Sequence, residues 1–330
     1  MAEPPDWLTA SPHPSVHSGL NDSPASVDVE SPSSLFTFSS PVVLTSFNQN
    51  GVENEDENDE EGPEHIRDNA FLVEEAFNQE AGEVQHIFNW IDLRSRSAEP
   101  KARDFAWTYT MEIPLGSQKH QFSFTSLMLD AYEKPTGGPA TRTGGVGDTF
   151  LNYRYQLLAD DDFLWCAPRI TLIVPTGDER FGLGNGEAGY QFNLPISSYG
   201  EMFDYHANAG FTYFPSVSLP MSNGFDSPHR NLGGYNFGAS AFWKPEVYLN
   251  FFVEALVFAN DEIDDAGFRV SSTQALLNPG FRYAVCQFDQ VEWVLGVSVP
   301  IGLTSDSPDI GAFFYMSVEH MFRKVSEAAE

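Results

Sequence analysis

From Val84 to Phe322 apolar and polar residues alternate in segment after segment. A period of two puts successive side chains on opposite faces of a strand, so this part of the chain is committed to sheets with two chemically different faces. Residues 290–301 show it most clearly. Val291, Trp293, Leu295, Val297, Val299 and Ile301 share one face, and Gln290, Glu292, Val294, Gly296, Ser298 and Pro300 the other. Phe203 to Tyr213 and Val247 to Ala259 repeat the pattern. Followed along the chain, it predicts about twelve strands, near 84–93, 104–113, 119–129, 147–157, 163–174, 187–196, 203–214, 233–244, 246–259, 273–285, 289–301 and 310–322. Most have about ten residues, the length a tilted strand needs to cross a bilayer, whereas ordinary strands average about five or six. The connections alternate too: short at 114–118, 158–162, 197–202, Pro245 and 286–288, longer at 94–103, 130–146, 175–186, 215–232, 260–272 and 302–309. An even strand count with short turns on one rim and long loops on the other predicts an all-β fold, a closed antiparallel transmembrane β-barrel with both ends at the short-turn rim.

A soluble sandwich also alternates, with its apolar face inward, so the polar face decides between the two. Lys101, Lys119, Lys134, Lys244 and Lys324 all sit at strand ends or in loops. Gly, Asn, Ser, Thr and Gln fill the polar faces, with a few Glu and Arg, as a confined lumen requires. Aromatics such as Phe105, Trp107, Tyr153, Tyr155, Tyr213, Phe214 and Trp243 crowd strand ends, where bilayer interfaces favour them.

If the apolar faces meet lipid, then Glu112, Asp148, Asn152, Arg154, Arg169, Thr171, Asp204, His206, Glu254, Arg282, Glu292 and Glu319 line the lumen. Two readings stay open. The residues brace the barrel as a ladder of Arg–carboxylate pairs, or they form a constriction that selects small polar or amphipathic solutes. Arg154, Arg169 and Arg282 are each expected within ion-pair reach of a lumen carboxylate, with Glu112, Glu254, Glu292 and Glu319 as the available partners, or facing continuous water. No catalytic residue is assigned and no enzyme is expected: His86, His120, His206 and His320 lie in no local Ser motif. No cofactor is expected, since Gly182-Leu183-Gly184-Asn185-Gly186 lacks a strand-to-helix context for a nucleotide. Cys166 and Cys286 suggest neither a disulfide scaffold nor a metal site.

Residues 1–67 read as a disordered tail, with Ser and Pro interleaved from Ser11 to Pro41 and an acidic run from Glu53 to Glu61. Residues 68–83 form a lead-in, helical or strand-like, that either folds into the short-turn mouth as a plug or serves as a tether. The barrel spans 84–322, and 323–330 is a short C-terminal tail. With 47 Asp and Glu against 17 Lys and Arg, a net charge of −30, nucleic acid is not an expected partner. No Lys or Arg precedes Arg67, so the positive start of a secretory signal is not visible.

In the last predicted strand Phe314, Met316, Val318 and Phe322 share the outward face with Ala312 and His320. An aromatic ending an alternating row resembles the terminal signal by which outer-membrane barrels are recognised for assembly, which makes the barrel-assembly machinery an expected partner. Further motifs are Asp68 to Glu80 followed by Val84-Gln85-His86-Ile87, Gly145-Val146-Gly147-Asp148 leading to Leu151-Asn152-Tyr153-Arg154-Tyr155, and Ala167-Pro168-Arg169 running to Val174-Pro175-Thr176-Gly177-Asp178. In combination, over residues 68–322, they make the chain resemble the outer-membrane barrel proteins known as the meta-pathway phenol-degradation or transporter-like family. The resemblance implies a Gram-negative outer membrane with its lipids as surroundings, and passive passage of small, aromatic or amphipathic solutes. A structural or adhesive barrel and an outer-membrane lipid hydrolase are the alternatives.

Overall fold

The computed structural model describes Ile66, Asp68 and residues 70–96, 100–159, 164–220, 226–264, 266–288 and 291–322. The Ser/Pro-rich stretch, the acidic run and the C-terminal tail lie outside the described residues. Twelve strands follow one another around a closed antiparallel barrel. They are β1 (Glu83–Ser95), β2 (Lys101–Pro114), β3 (His120–Lys134), β4 (Thr141–Val146, Thr149–Tyr155 and Leu158–Ala159), β5 (Trp165–Cys166 and Arg169–Val174) and β6 (Gly189–Tyr199). The second half comprises β7 (Phe203–Val217), β8 (Arg230–Glu246), β9 (Leu249–Ile263), β10 (Arg269–Phe288), β11 (Val291–Ser298 and Ile301–Gly302) and β12 (Ile310–Met321).

Each strand pairs with its sequence neighbours, and β1 closes the ring against β12 in a register running from Glu83↔Met321 to Arg94↔Ile310. That pairing leaves no free edge in the sheet, as a barrel in hydrocarbon must. It also brings both ends of the barrel to the short-turn rim, where the Phe322 N–H donates to the Gly82 carbonyl at 2.9 Å.

Burial follows the sequence period. Along β9, Asn250, Phe252, Glu254 and Leu256 are buried and Phe251, Val253 and Val257 are exposed on the outside. In β12 the inward set is Phe313, Tyr315, Ser317 and Glu319, while Phe314 and the flanking Phe322 point outward.

Two features depart from the expected loops. The strands run further past the long-loop rim than the alternation indicated, as at Lys101↔Lys134 and Ile263↔Arg269. Residues 94–95, 101–103, 260–263 and 269–272 are therefore paired ribbon, because backbone pairing continues where the side-chain pattern has faded. At the other rim, Pro245 lies inside β8 at a register shift between Trp243 and Glu246, and the β8–β9 turn falls at Val247 and Tyr248.

Candidate functional site: a stoppered lumen

The lumen is occupied by the chain's own lead-in. Ile66, Asp68 and residues 70–79 have neither helical nor strand structure, and all but a few of their side chains are fully buried inside the barrel. The segment enters at the short-turn rim, where the Ile66 N–H donates to the Val247 carbonyl at 3.1 Å and the Asn250 amide donates to the Ile66 carbonyl. It dips to the level of Glu254, then climbs back to Gln118 and Gln121 beside the β2–β3 turn.

Its deepest point is held by one carboxylate. The N–H groups of Phe71, Leu72 and Val73 converge on Glu254 at 2.8, 3.0 and 3.2 Å, and Asn278 donates to the other oxygen at 2.7 Å. Three successive N–H groups aimed at an anion make a nest, so Glu254 satisfies backbone donors that the irregular segment cannot pair with itself. The Phe71 ring packs on Tyr315, Phe252 and Phe313 with centroids 4.9, 4.5 and 5.3 Å away. Glycine makes the room: a Cβ on Gly296 would lie 2.1 Å from Phe71, and one on Gly238 3.0 Å from Val73.

Glu74 and Glu75 follow, and they meet the inward arginines. Arg169 grips Glu74 with a two-pronged contact, Nε to Oε1 at 2.8 Å and Nη2 to Oε2 at 2.9 Å, and Arg154 adds a third approach at 3.4 Å. Asn193 donates its amide to the same carboxylate. Arg154 and Arg169 are direct cross-strand partners of β4 and β5. Two buried like charges opposite one another are unfavourable, and Glu74 lies between them to offset this. Glu75 lies 3.7 Å from Arg282 and 3.5 Å from His206, and it accepts from Tyr199 at 3.3 Å.

Beyond them, the Ala76 N–H donates to the Ser197 hydroxyl at 2.9 Å, Arg154 donates to the Phe77 carbonyl, and Gln156 bonds both the Ala76 carbonyl and the Asn78 N–H. Phe77 stacks on Trp165 at 4.6 Å.

Of the residues singled out from sequence, Glu112, Asn152, Arg154, Arg169, Thr171, Asp204, His206, Glu254, Arg282 and Glu319 are buried within the barrel, and Glu292 is half-buried on the inner side of β11. The expected pairing is corrected. Arg169 and Arg282 meet Glu74 and Glu75 of the lead-in, and Arg154 reaches Glu112 only at 4.0 Å. Glu254 is taken by backbone N–H groups, and Glu319 accepts from Gln85 at 2.5 Å. Asp204 pairs with Lys244 at 2.8 Å. The periodicity told which face each Arg occupies but not its depth, and depth selects the partner.

Asp148 has the inward parity of Phe150, Asn152 and Arg154 and is fully buried, but it meets a loop and, among the described residues, no arginine. It sits between the first two pieces of β4, where the register against β3 slips by one residue. Such a bulge re-aims a side chain. Its carboxylate takes the Gly177 N–H at 3.0 Å. Asp148 thus ties down the 175–188 connection, whose short 3₁₀ turn Glu179–Phe181 is capped by Asp178. The Arg180 side chain holds the Asp178 carboxyl below the usual carboxylate range. The same connection drops Leu183 into an inward apolar cluster with Ala106, Leu127, Leu129, Phe150, Ile173, Phe214, Val217 and Leu232, at the long-loop end of the lumen. The barrel interior therefore has one half filled by the lead-in, where the charged groups and an apolar cluster around Phe71 both lie, and an apolar half under the loops.

Sequence reasoning missed the barrel-wall amides Gln121, Gln156, Gln191 and Asn193, all bonded to the lead-in or to Arg169. Gln191 and Asn193 carry the inward parity of β6, so the alternation could have found them. It also missed a Ser–His–carboxylate alignment, in which the Ser197 hydroxyl lies 2.9 Å from His206 Nδ1 and Nε2 lies 3.5 Å from Glu75. That hydroxyl already receives the Ala76 N–H. All three residues are buried, with Glu75 on the lead-in and Ser197 and His206 on the wall, so the alignment acts here as an anchor.

Neither protein-family profiles nor the curated proteins match this sequence. Solved structures do match the fold. An outer-membrane channel from Pseudomonas putida F1 is 10% identical with a TM-score of 0.55, covering 74% of this chain and 97% of that one. The transport unit of an autotransporter from Escherichia coli is 10% identical with a TM-score of 0.45, over 72% and 89% of the two chains. The β-domain of a Bordetella autotransporter is 10% identical with a TM-score of 0.45, over 75% and 100%. The chain has the closed β-barrel fold of outer-membrane proteins.

Proposed function

We propose that this chain is a bacterial outer-membrane channel for passive passage of small aromatic or amphipathic solutes, with residues 66–79 as a stopper that must yield for a solute to pass. The observation that carries this reading is the way the stopper is held. It lies in the lumen as irregular backbone, bound through hydrogen bonds and ion pairs to wall side chains and packed through Phe71, Leu72, Val73 and Phe77 on apolar ones. The polar contacts exchange for water or solute at small net free energy, because each bond broken is remade, and an apolar or amphipathic solute can replace the packing of Phe71, Leu72, Val73 and Phe77. The apolar cluster under the loops supports the solute class, since a wall facing only water needs no inward Leu127, Phe150, Ile173 or Phe214. Outer-membrane lipids and the barrel-assembly machinery are the expected partners of such a barrel, with Phe314, Met316, Val318 and Phe322 as the assembly signal.

Swelling of liposomes containing the full-length protein tests the proposal, with a form lacking residues 66–79 alongside. Passage of small amphipathic solutes, faster in the shortened form, is expected. A barrel that admits no solute in either form would leave a structural or adhesive role.

A further inference from the structure

The Glu74 pocket has the features of a receptor site whose occupant happens to be tethered. Arg169 keeps its aim without the stopper. Its Nη1 donates to Asn152 Oδ1 at 2.9 Å and also to the Thr171 hydroxyl, and its Nη2 shares a 3.0 Å bond to Gln191 Oε1. All three partners belong to β4, β5 and β6. Asn193 is fixed in the same manner. Its side-chain oxygen accepts from the amides of Asn208 and Asn236, each at 3.2 Å, which turns its own amide donors toward the carboxylate. Arg154 completes the set from the neighbouring strand. Arg154, Arg169 and Asn193 are all almost fully buried with the stopper in place, and the wall itself pre-aims the donors of Arg169 and Asn193. Such a fork matches one planar anion, a carboxylate.

We propose that Arg169, Arg154 and Asn193 form a binding site for the carboxylate of a small organic acid crossing the barrel, and that Glu74 occupies the site in its absence as an internal competitor. The proposal rests on the channel reading and narrows its solutes to those bearing a carboxylate. Glu74 holds the site at the effective concentration of a short tether, in the millimolar range, so a free acid competes at comparable concentrations and loses at much lower ones. Flux of carboxylates is then saturable and gated by the stopper, with no chemical step.

The test uses the full-length chain in detergent and in planar bilayers. Glu74→Ala removes a CH₂–COO⁻ group, the size of an acetate ion, from between the three donors. Acetate is titrated against the isosteric neutral acetamide and against sodium chloride at matched ionic strength. Acetate alone is expected to raise the melting temperature of Glu74→Ala saturably. It should leave the wild type unmoved over the same range. Adding Arg169→Ala to Glu74→Ala should weaken the acetate response roughly tenfold to a hundredfold, the worth of a lost charge-assisted pair. No acetate response, an equal response to acetamide or chloride, or an undiminished response in the double variant overturns the site and leaves Glu74 a pin for the stopper. Glu74→Gln, which keeps the side-chain volume, provides a control with the pocket filled: its melting should be insensitive to acetate, and a response equal to that of Glu74→Ala would place acetate elsewhere and overturn the site. The bilayer current separates the two claims. Acetate binding by a barrel that never conducts refutes the channel and keeps the site, and a conducting barrel blind to acetate does the reverse.

Discussion

Glu254 is the residue whose loss should free the stopper most cleanly. Glu254→Ala deletes the acceptor of the Phe71, Leu72 and Val73 N–H groups, at 2.8, 3.0 and 3.2 Å, in a site with no exposure to solvent. Hydrogen bonds to a charged group contribute about 1.5–3 kcal/mol each, and buried donors left unmet forfeit about 1–3 kcal/mol. The withdrawn stopper recovers part of this by hydrating the same N–H groups. A net loss of about 3–5 kcal/mol remains, roughly a hundredfold to several thousandfold in the ratio of inserted to withdrawn segment. The barrel itself should persist, because β9 pairs to β8 and β10 through backbone bonds that the substitution leaves untouched. Amide hydrogen exchange in micelles reads the effect where it arises. Protection at residues 71–73 should fall by that factor while β9 keeps its protection and the protein still migrates as a heat-modifiable barrel. Glu254→Gln, which keeps one acceptor oxygen, should lose less. Unchanged protection at 71–73 in Glu254→Ala would refute the reasoning.

Gly296→Ala places a Cβ 2.1 Å from the Phe71 ring and 3.0 Å from the Phe281 carbonyl oxygen, so overpacking should cost about 1–3 kcal/mol and raise exchange at residue 71. Asp148→Ala removes the acceptor for the Gly177 N–H; exchange at Gly177 should quicken about tenfold or more, with the rest of the barrel unaffected. Arg169→Ala should change melting or permeability more than Leu172→Ala, because the first takes the two-pronged partner from buried Glu74 and leaves it Arg154 and Asn193, whereas outward Leu172 loses only contact with its surroundings. Equal effects of the last two would contradict the inside–outside assignment.

The barrel was legible because period two survives in nearly every strand: Phe251, Val253 and Val257 face out and Asn250, Phe252 and Glu254 face in, as their spacing requires. Strand ends were less legible. Pairing at Lys101↔Lys134 is carried by backbone, to which side-chain alternation is blind. The lead-in was the hard part. Phe71-Leu72-Val73 followed by Glu74-Glu75 has no period, and its conformation is imposed by Glu254, Arg169 and Arg282 from strands distant in sequence. The inward arginines could be assigned to a face from sequence, but their partners could not, since Glu74 stands between Arg154 and Arg169 only after β4 and β5 have paired.

A reversible tether would test most directly whether the lead-in governs passage. Val73 and Gly238 face each other across the lumen wall, with a Gly238 Cβ position 3.0 Å from Val73 Cγ2, within reach of a disulfide after small adjustments. In a background with Cys166 and Cys286 replaced, Val73→Cys with Gly238→Cys locks the stopper on oxidation and frees it on reduction. Solute flux and ion current through one reconstituted sample are then recorded before and after adding reductant. The account predicts low flux when oxidised and a reversible rise on reduction that the single-cysteine variants do not show. Equal flux in the two redox states would contradict it.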